Sequence, residues 1–296
     1  MIPEDTLIAW SNQGGTTNSI AAHTSIRNAL EANDSGLNRP DFEIFLQGSY
    51  KNSTNIRADS DVDLVVQYNK YFNKDLTRLS PVEVQRYEAS HHNVDYSPVN
   101  WRNDVEKALR KKFPGKVQLG GGKAFKVVTG PGNMTADVLA AFHYKQYTHY
   151  NSLNDEGFDP GIKFADSAGK ITLNFPKLHI ENGETKNSET DGRYKPSVRI
   201  FKNARNRATE RGLLVDGAAP SYFVECLLYN VPDGCFTASV RETYKAVVNH
   251  LSANAIDGYF CQNGQLPLFG PDSTQWNTTD ATSFVQAFIE LWNKWE

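Results

Sequence analysis

Residues 46–67 read LQGSYKNSTNIRADSDVDLVVQ, and this stretch constrains the fold more than any other. An apolar run, Glu43–Gln47, delivers the chain to Gly48-Ser49. Eleven residues later comes Asp61-Val62-Asp63, which opens a second apolar run, Val62–Gln67. Both runs have the length and composition of strands. Side chains alternate across a strand, so Asp61 and Asp63 share one face while Val62 and Leu64 turn into a core. Two like charges on one face raise the cost of ionising both. A divalent cation removes that cost, and oxygen-only ligands favour Mg²⁺ completed by water and phosphate. A bare Asp-x-Asp also suits a strand end that simply faces water, and the pair alone does not decide between the two.

The rest of the chain supplies context. Tyr50, Lys51, Asn52, Ser53 and Thr54 follow the Gly-Ser turn, and their backbone N–H groups, hydroxyls and ammonium suit phosphate. A third acidic residue, Asp137, interrupts the apolar run Thr135–Phe142. An aspartate inside a strand needs a partner or a metal to offset its burial. Three such carboxylates beside a phosphate-holding turn make the ligand set of two-metal nucleotidyl transfer. Asp59, a turn residue before the strand, is assigned a structural role.

The pattern predicts an α+β fold. Helices are expected over 17–32, 81–89 and 99–113, with Thr17 or Asn18 capping the first. Strands are expected over 43–47, 62–67, 117–119, 123–129, 135–142 and 171–175. After about residue 190 the signal turns helical, over 197–211, 221–229, 237–253 and 282–292. The polar segment 180–195 reads as a crossing between lobes. The expected division is therefore an α+β core over 1–190 and a helical lobe over 191–296.

Composition excludes several classes. At 296 residues, 39% hydrophobic and 22% charged, the chain is an ordinary globular protein. It shows no signal-peptide pattern and no apolar run of membrane-spanning length, which points to the cytoplasm. Three widely spaced cysteines, Cys226, Cys235 and Cys261, form no CxxC, so buried or half-buried thiols are expected rather than a disulfide framework or a zinc site. A net charge of −3 gives no footprint for long nucleic acid. The basic run Lys107–Phe113 reads as a helix C-terminus. LGGGKAF, residues 119–125, lacks the Gly spacing of a phosphate-binding P-loop and reads as a hairpin turn.

Gly48-Ser49, the acidic pair and Asp137 together resemble the active-site signature of the DNA polymerase β-like nucleotidyltransferases. The polar filling between them is similar to that of the bacterial cGAS/DncV-like nucleotidyltransferases, relatives of cyclic GMP–AMP synthase and oligoadenylate synthetase. NFPKLHIENGETKN (174–187), VRIFKNARN (198–206) and PSYFVECLLYNVP (220–232) resemble clade E of that group. The resemblance implies a nucleotidyltransferase palm with a central mixed sheet and an N-terminal helix, joined to a mostly helical C-terminal lobe.

Residue by residue, it implies that Asp61 and Asp63 hold two Mg²⁺ ions, with Mn²⁺ as a substitute, and that Asp137 holds the ion activating a ribose hydroxyl. Gly48 and Ser49, with Gln47 and Lys51, would contact donor phosphates. Lys202 would reach the triphosphate tail, Ser221 would add a phosphate contact, and Tyr222 would stack on the donor base. Taken alone, Lys202 also suits a solvated helix position, Ser221 a helix cap and Tyr222 a core position. The implied activity is synthesis of a cyclic dinucleotide from two nucleoside triphosphates bound between the lobes. A pyrimidine-containing product such as cyclic UMP-AMP is favoured, with base choice assigned to a lid over 151–164 and residues near Arg57. The alternatives are a purine cyclic dinucleotide or a linear oligonucleotide as product, and transfer of nucleotides to RNA or to a small molecule. The implied role is antiphage signalling through a separate effector protein, and a monomer is favoured.

Overall fold

The structure is a computed structural model and describes residues 1–15, 17–38, 40–56, 62–120, 122–129, 135–272 and 274–295. Among these, ten α-helices and seven strands divide into two compact units. One unit comprises Thr16–Tyr50 and Asp59–Leu178. The other comprises Met1–Gly15, Lys51–Ala58 and His179–Glu296.

The first unit is α+β. Its strands are β1 (Phe42–Leu46), β2 (Val62–Asp75), β3 (Val117–Gly120), β4 (Ala124–Val128), β5 (Thr135–Ser152), β6 (Asp155–Ala165) and β7 (Ile171–Asn174). They form one mixed sheet in the order β1-β2-β5-β4-β3, with β6 and β7 continuing from the far half of β5. Strands β2 and β5 are parallel, and every other pairing is antiparallel. Helices α2 (Thr17–Glu31) and α5 (Pro98–Lys112) put Ala22, Ile26, Leu30, Trp101, Val105 and Leu109 against Val62, Leu64 and Val66. The Trp101 indole N–H donates to Val66 O at 2.9 Å, so the ring is buried without stranding its donor. On the opposite face, Val65, Leu139, Ala141, Ile162 and Phe164 form a smaller cluster with Phe45.

Several expectations hold and some need correction. Strands β2 and β5 run to Asp75 and Ser152, well past the predicted ends at 67 and 142. The continuation of β5 is polar by composition, yet Tyr144, Tyr147 and Tyr150 are buried, the last two against Tyr87 of α4 (Pro81–Ser90). The predicted lid over 151–164 is the hairpin of β5 and β6. Its glycines are close-packing positions: a Cβ on Gly161 would lie 2.9 Å from the Phe175 ring. Strands β3 and β4 do pair antiparallel, with Leu119 against Phe125 and Gly120 against Ala124, as a hairpin requires. The basic run closes α5, where Arg110 pairs with Glu106, and Lys112 with Asp34.

The second unit is helical: α1 (Glu4–Ser11), α6 (Pro176–Glu189) from His179 onward, α7 (Tyr194–Glu210), α8 (Ser221–Tyr229), α9 (Val240–Ala253) and α10 (Thr278–Asn293). Its core joins Leu7, Val198, Phe201, Phe223, Leu227, Tyr244, Val247, Phe284 and Phe288. The predicted crossing over 180–195 is instead mostly helix α6 and the start of α7. Glu181, Glu184, Thr185, Ser188 and Glu189 face solvent, while two of its polar side chains are used inside: Asn182 donates to Gln262 O at 2.8 Å, and Lys186 donates to Val231 O at 2.9 Å. Buried polar groups paired in this way leave no apolar stripe to read. Helix α1 was not expected, and the helical unit takes in residues 1–15 and 51–58, which the expected boundary at 190 assigned to the core. Cys226 and Cys261 are buried free thiols and Cys235 is half-buried, as expected. Among the described residues, no helix is long and apolar enough to cross a membrane.

Candidate active site

The α+β unit brings the carboxylates and the Gly-Ser turn together. Asp63 of β2 pairs in register with Asp137 of β5 across the parallel ladder. Residues paired in register share a face, so the two carboxylates stand side by side on the face opposite Val62 and Leu64. That face becomes apolar one pleat further on, at Val65 and Leu139, which fixes where the polar patch ends. Both aspartates are half-buried. Asp61 belongs to the same acidic pair but lies outside the described residues, as do Arg57 and Asp59.

The Gly-Ser turn is a single turn of helix, α3 (Gly48–Lys51), rather than an open loop. It is anchored where β1 meets β2, by the Gln47 N–H donating to Asp63 O at 3.0 Å. Gly48 has φ of 66°, a left-handed conformation that favours glycine. A Cβ there would lie 2.1 Å from Asp63 Oδ2. The turn backbone and the carboxylate therefore occupy one small space that only glycine leaves open. Ser49 is half-buried and Lys51 is exposed.

This arrangement suits a hard divalent cation. Two carboxylates stand at one register position, and the Gly48 backbone packs so close to one of them, Asp63, that a Cβ would clash with it. Among the described residues alone, no group of three His, Cys, Asp or Glu forms a metal cluster. The third carboxylate of the expected set is Asp61. One neighbour escaped the sequence reading: Lys126 of β4 pairs with Asp137 across the antiparallel ladder, on the same face. Its signal was the alternation in AFKVV, where Phe125 and Val127 are buried and Lys126 faces the other way.

The helical unit holds the remaining expected residues. Ser221 is the first residue of α8, not its cap; Pro220 occupies the cap position. The Ser221 hydroxyl accepts from the Arg205 guanidinium at 3.4 Å and lines a cavity of about 440 Å³ with Asn206, Thr209 and Asp216. Tyr222 is half-buried, stacked on the His179 imidazole with centroids 5.1 Å apart, and its hydroxyl accepts from Asn263 at 3.3 Å.

Lys202 departs from expectation. It is 1% exposed, and its ammonium donates to Glu225 Oε1 at 2.5 Å and to Thr54 O and Oγ1 at 3.2 Å each. These partners hold the ammonium inside the helical unit, as a lysine buried this deeply requires a carboxylate beside it. Glu225 was missed by the sequence reading, since a single acid inside the apolar SYFVECLLY carries no periodic signal. Burial opposes its ionisation, but Lys202 and the His179 hydrogen bond outweigh it and hold the carboxyl well below the usual range.

A mixed sheet carrying two in-register aspartates beside a Gly-Ser turn defines a nucleotidyltransferase, and the nucleotidyltransferase domain model matches residues 25–129. The model for the cGAS/DncV-like nucleotidyltransferase C-terminal helical domain matches residues 181–293. Over 294 residues the chain is 40% identical to the cyclic UMP-AMP synthase of Rhodothermus marinus, covering 99% of each protein. It is 36% identical to the cyclic nucleotide synthase CdnE01 of Staphylococcus haemolyticus, again over 99% of each. The solved structure of Rhodothermus marinus CdnE c-UMP-AMP synthase with Apcpp and Upnpp superposes with a TM-score of 0.88. That match is at 40% identity and covers 100% of this chain and 98% of the other. The chain belongs to the cGAS/DncV-like nucleotidyltransferase family.

Proposed function

We propose that this chain is a cyclic dinucleotide synthase that joins two nucleoside triphosphates and releases pyrophosphate, with cyclic UMP-AMP as the favoured product. The observation that carries the proposal is the in-register pair Asp63 and Asp137 with Gly48 packed against Asp63. End-to-end likeness to a cyclic UMP-AMP synthase supports the choice of product.

Asp61 and Asp63 would hold two Mg²⁺ ions, replaceable by Mn²⁺, and Asp137 would share the one on the acceptor side. When bound, the ions neutralise the triphosphate and make the attacking ribose hydroxyl more acidic. The backbone of Gly48, the Ser49 hydroxyl and Lys51 orient the donor phosphates, with Gln47 fixing the turn to β2. Tyr222 offers a sequence-tolerant face to the donor base, and Ser221 a hydroxyl to phosphate. Positioning and charge neutralisation supply most of the rate. Lys202 is left out of the phosphate contacts, because Glu225 and Thr54 take its ammonium. The same site closes the ring after the linear intermediate turns over. The product is a second messenger for antiphage defence, read by a separate effector protein, and the enzyme works as a cytoplasmic monomer.

Incubating the pure protein with all four radiolabelled triphosphates and Mg²⁺ tests this. The expected result is a phosphatase-resistant small product with the mass of cyclic UMP-AMP. A cyclic dipurine would overturn the base choice. A ladder, or a product that forms only with added RNA or another acceptor, would overturn cyclisation.

A further inference from the structure

Glu225 is the most heavily engaged buried charge in the helical unit, and the mechanism above does not use it. It sits on α8, 4% exposed, among the apolar residues of the core. Four described side chains reach its two oxygens. Lys202 Nζ and the Thr54 hydroxyl donate to Oε1, at 2.5 and 2.7 Å; Asn52 Nδ2 and the His179 ring nitrogen Nε2 lie 3.2 and 3.1 Å from Oε2. Asn52, Thr54, His179 and Lys202 are all buried as well.

The identity of these partners matters more than their number. Asn52 and Thr54 belong to the segment Lys51–Ala58, which lies with the helical unit although the chain on either side belongs to the α+β unit. That segment follows Gly48-Ser49 directly and leads to Asp61 and Asp63. His179 is the ring on which Tyr222 stacks. Its Nδ1 finds no hydrogen-bond partner among the described residues, so its hold runs through Nε2 and Glu225. One carboxylate thus grips the peptide between the phosphate turn and the acidic pair, and also the imidazole beneath the base platform. A buried acid used only for stability is replaceable by apolar packing. This one holds two separate segments of the helical unit, residues 52–54 and His179.

We propose that Glu225 is a positioning residue for nucleotidyl transfer: it fixes residues 52–54, and through them the phosphate turn, while seating His179 under Tyr222. The proposal rests on the nucleotidyltransferase reading of the site given above. Thr54 is its most sensitive reporter, because its hydroxyl donates to Glu225 and accepts from Lys202. Exchanging that hydroxyl for a methyl group leaves the packing volume almost unchanged.

The test compares the full-length protein with Thr54→Val, Thr54→Ser and Glu225→Gln. It reads turnover on ATP and UTP, affinity for a non-hydrolysable ATP analogue, amide hydrogen exchange over 52–56, and Tm. For Thr54→Val, kcat is expected to fall by about ten- to a hundredfold as the turn loses its setting. Exchange over 52–56 is expected to rise by about tenfold, with Tm falling less than in Glu225→Gln. Thr54→Ser, which keeps the hydroxyl, is expected to stay close to wild type in all four. Glu225→Gln is expected to exceed Thr54→Val in each. If Thr54→Val turns over and exchanges like wild type while Glu225→Gln only lowers Tm, Glu225 is a core residue and the proposal fails alone. If the wild-type protein neither binds the analogue nor turns over triphosphates, the proposed function fails and takes this proposal with it.

Discussion

The two units place their charged groups in opposite ways. The α+β unit keeps its core apolar and sets Asp63, Asp137 and Lys126 half-buried on one sheet face, at the edge of that core. The helical unit instead encloses its charges: Glu225 and Lys202 are almost fully buried, and four side chains meet one carboxylate. The first arrangement keeps its carboxylates half-buried on a sheet face. The second pairs its two buried charges, Glu225 and Lys202, with each other, and what it yields is a fixed backbone. Charges at the rim of a core should therefore govern rate, and charges within it should govern stability and placement.

The largest effect should come from the rim. Asp63→Asn and Asp137→Asn are each expected to lower turnover by at least about 10⁴-fold, with Tm unchanged or raised as like charges are relieved. A variant that stayed active would break the comparison at its strongest point. Next, Lys202→Met should destabilise the protein by about 3–5 kcal/mol, because it leaves Glu225 buried without its cation. Denaturant unfolding measures this, and a loss below about 1 kcal/mol would show that the pair is not the internal one described. Gly48→Ala should lower turnover by about a hundredfold and cost about 1–2 kcal/mol of stability, since the left-handed backbone disfavours a Cβ and the new Cβ would displace the Asp63 carboxylate.

A smaller effect tests the α+β unit by pH. Burial, with Lys145 and Lys177 nearby and against the pull of Glu43 and Glu156, pushes the His143 imidazole down to about 4 from 6.5. The unfolded chain takes up its proton first, so the contribution is complete above pH 6.5 and drains away as pH falls toward 4. The expected loss over that window is about 2 kcal/mol, and His143→Phe should flatten the profile. Least of all, Lys112→Ala, which removes a surface pair with Asp34, should change stability by less than about 0.5 kcal/mol.

The same contrast explains what could be read from the chain alone. In the α+β unit, strand alternation and glycine punctuation carried the information. Val62 and Leu64 against Asp63 gave the correct face, and Asp137 fell into register with Asp63 as an acid inside an apolar run. Where β5 continued beyond residue 142, tyrosines did the burying and the signal faded. In the helical unit α6 exposes Glu181, Glu184, Thr185, Ser188 and Glu189 and buries polar His179 and Lys186, so it shows no apolar stripe and reads like a loop. Lys202 reads from sequence as a phosphate contact or a solvated helix lysine, whereas its partner Glu225 lies 23 positions away and no local pattern joins them. Long-range pairing of buried charges leaves no periodic trace in one sequence.

Residues 1–15 and 51–58 belong to the helical unit although they lie in the first fifth of the chain. The unit is therefore assembled from three stretches of sequence, and no single cut separates it from its neighbour. A chimera that took residues 179–296 from a relative would inherit a core whose Leu7 and Thr54 still came from the original parent. Exchange of helical halves between such enzymes, by engineering or by recombination, should succeed only when the two short upstream stretches travel with the third. Variation in base choice and signalling would then be expected to spread through substitution within one lineage more readily than by swapping modules.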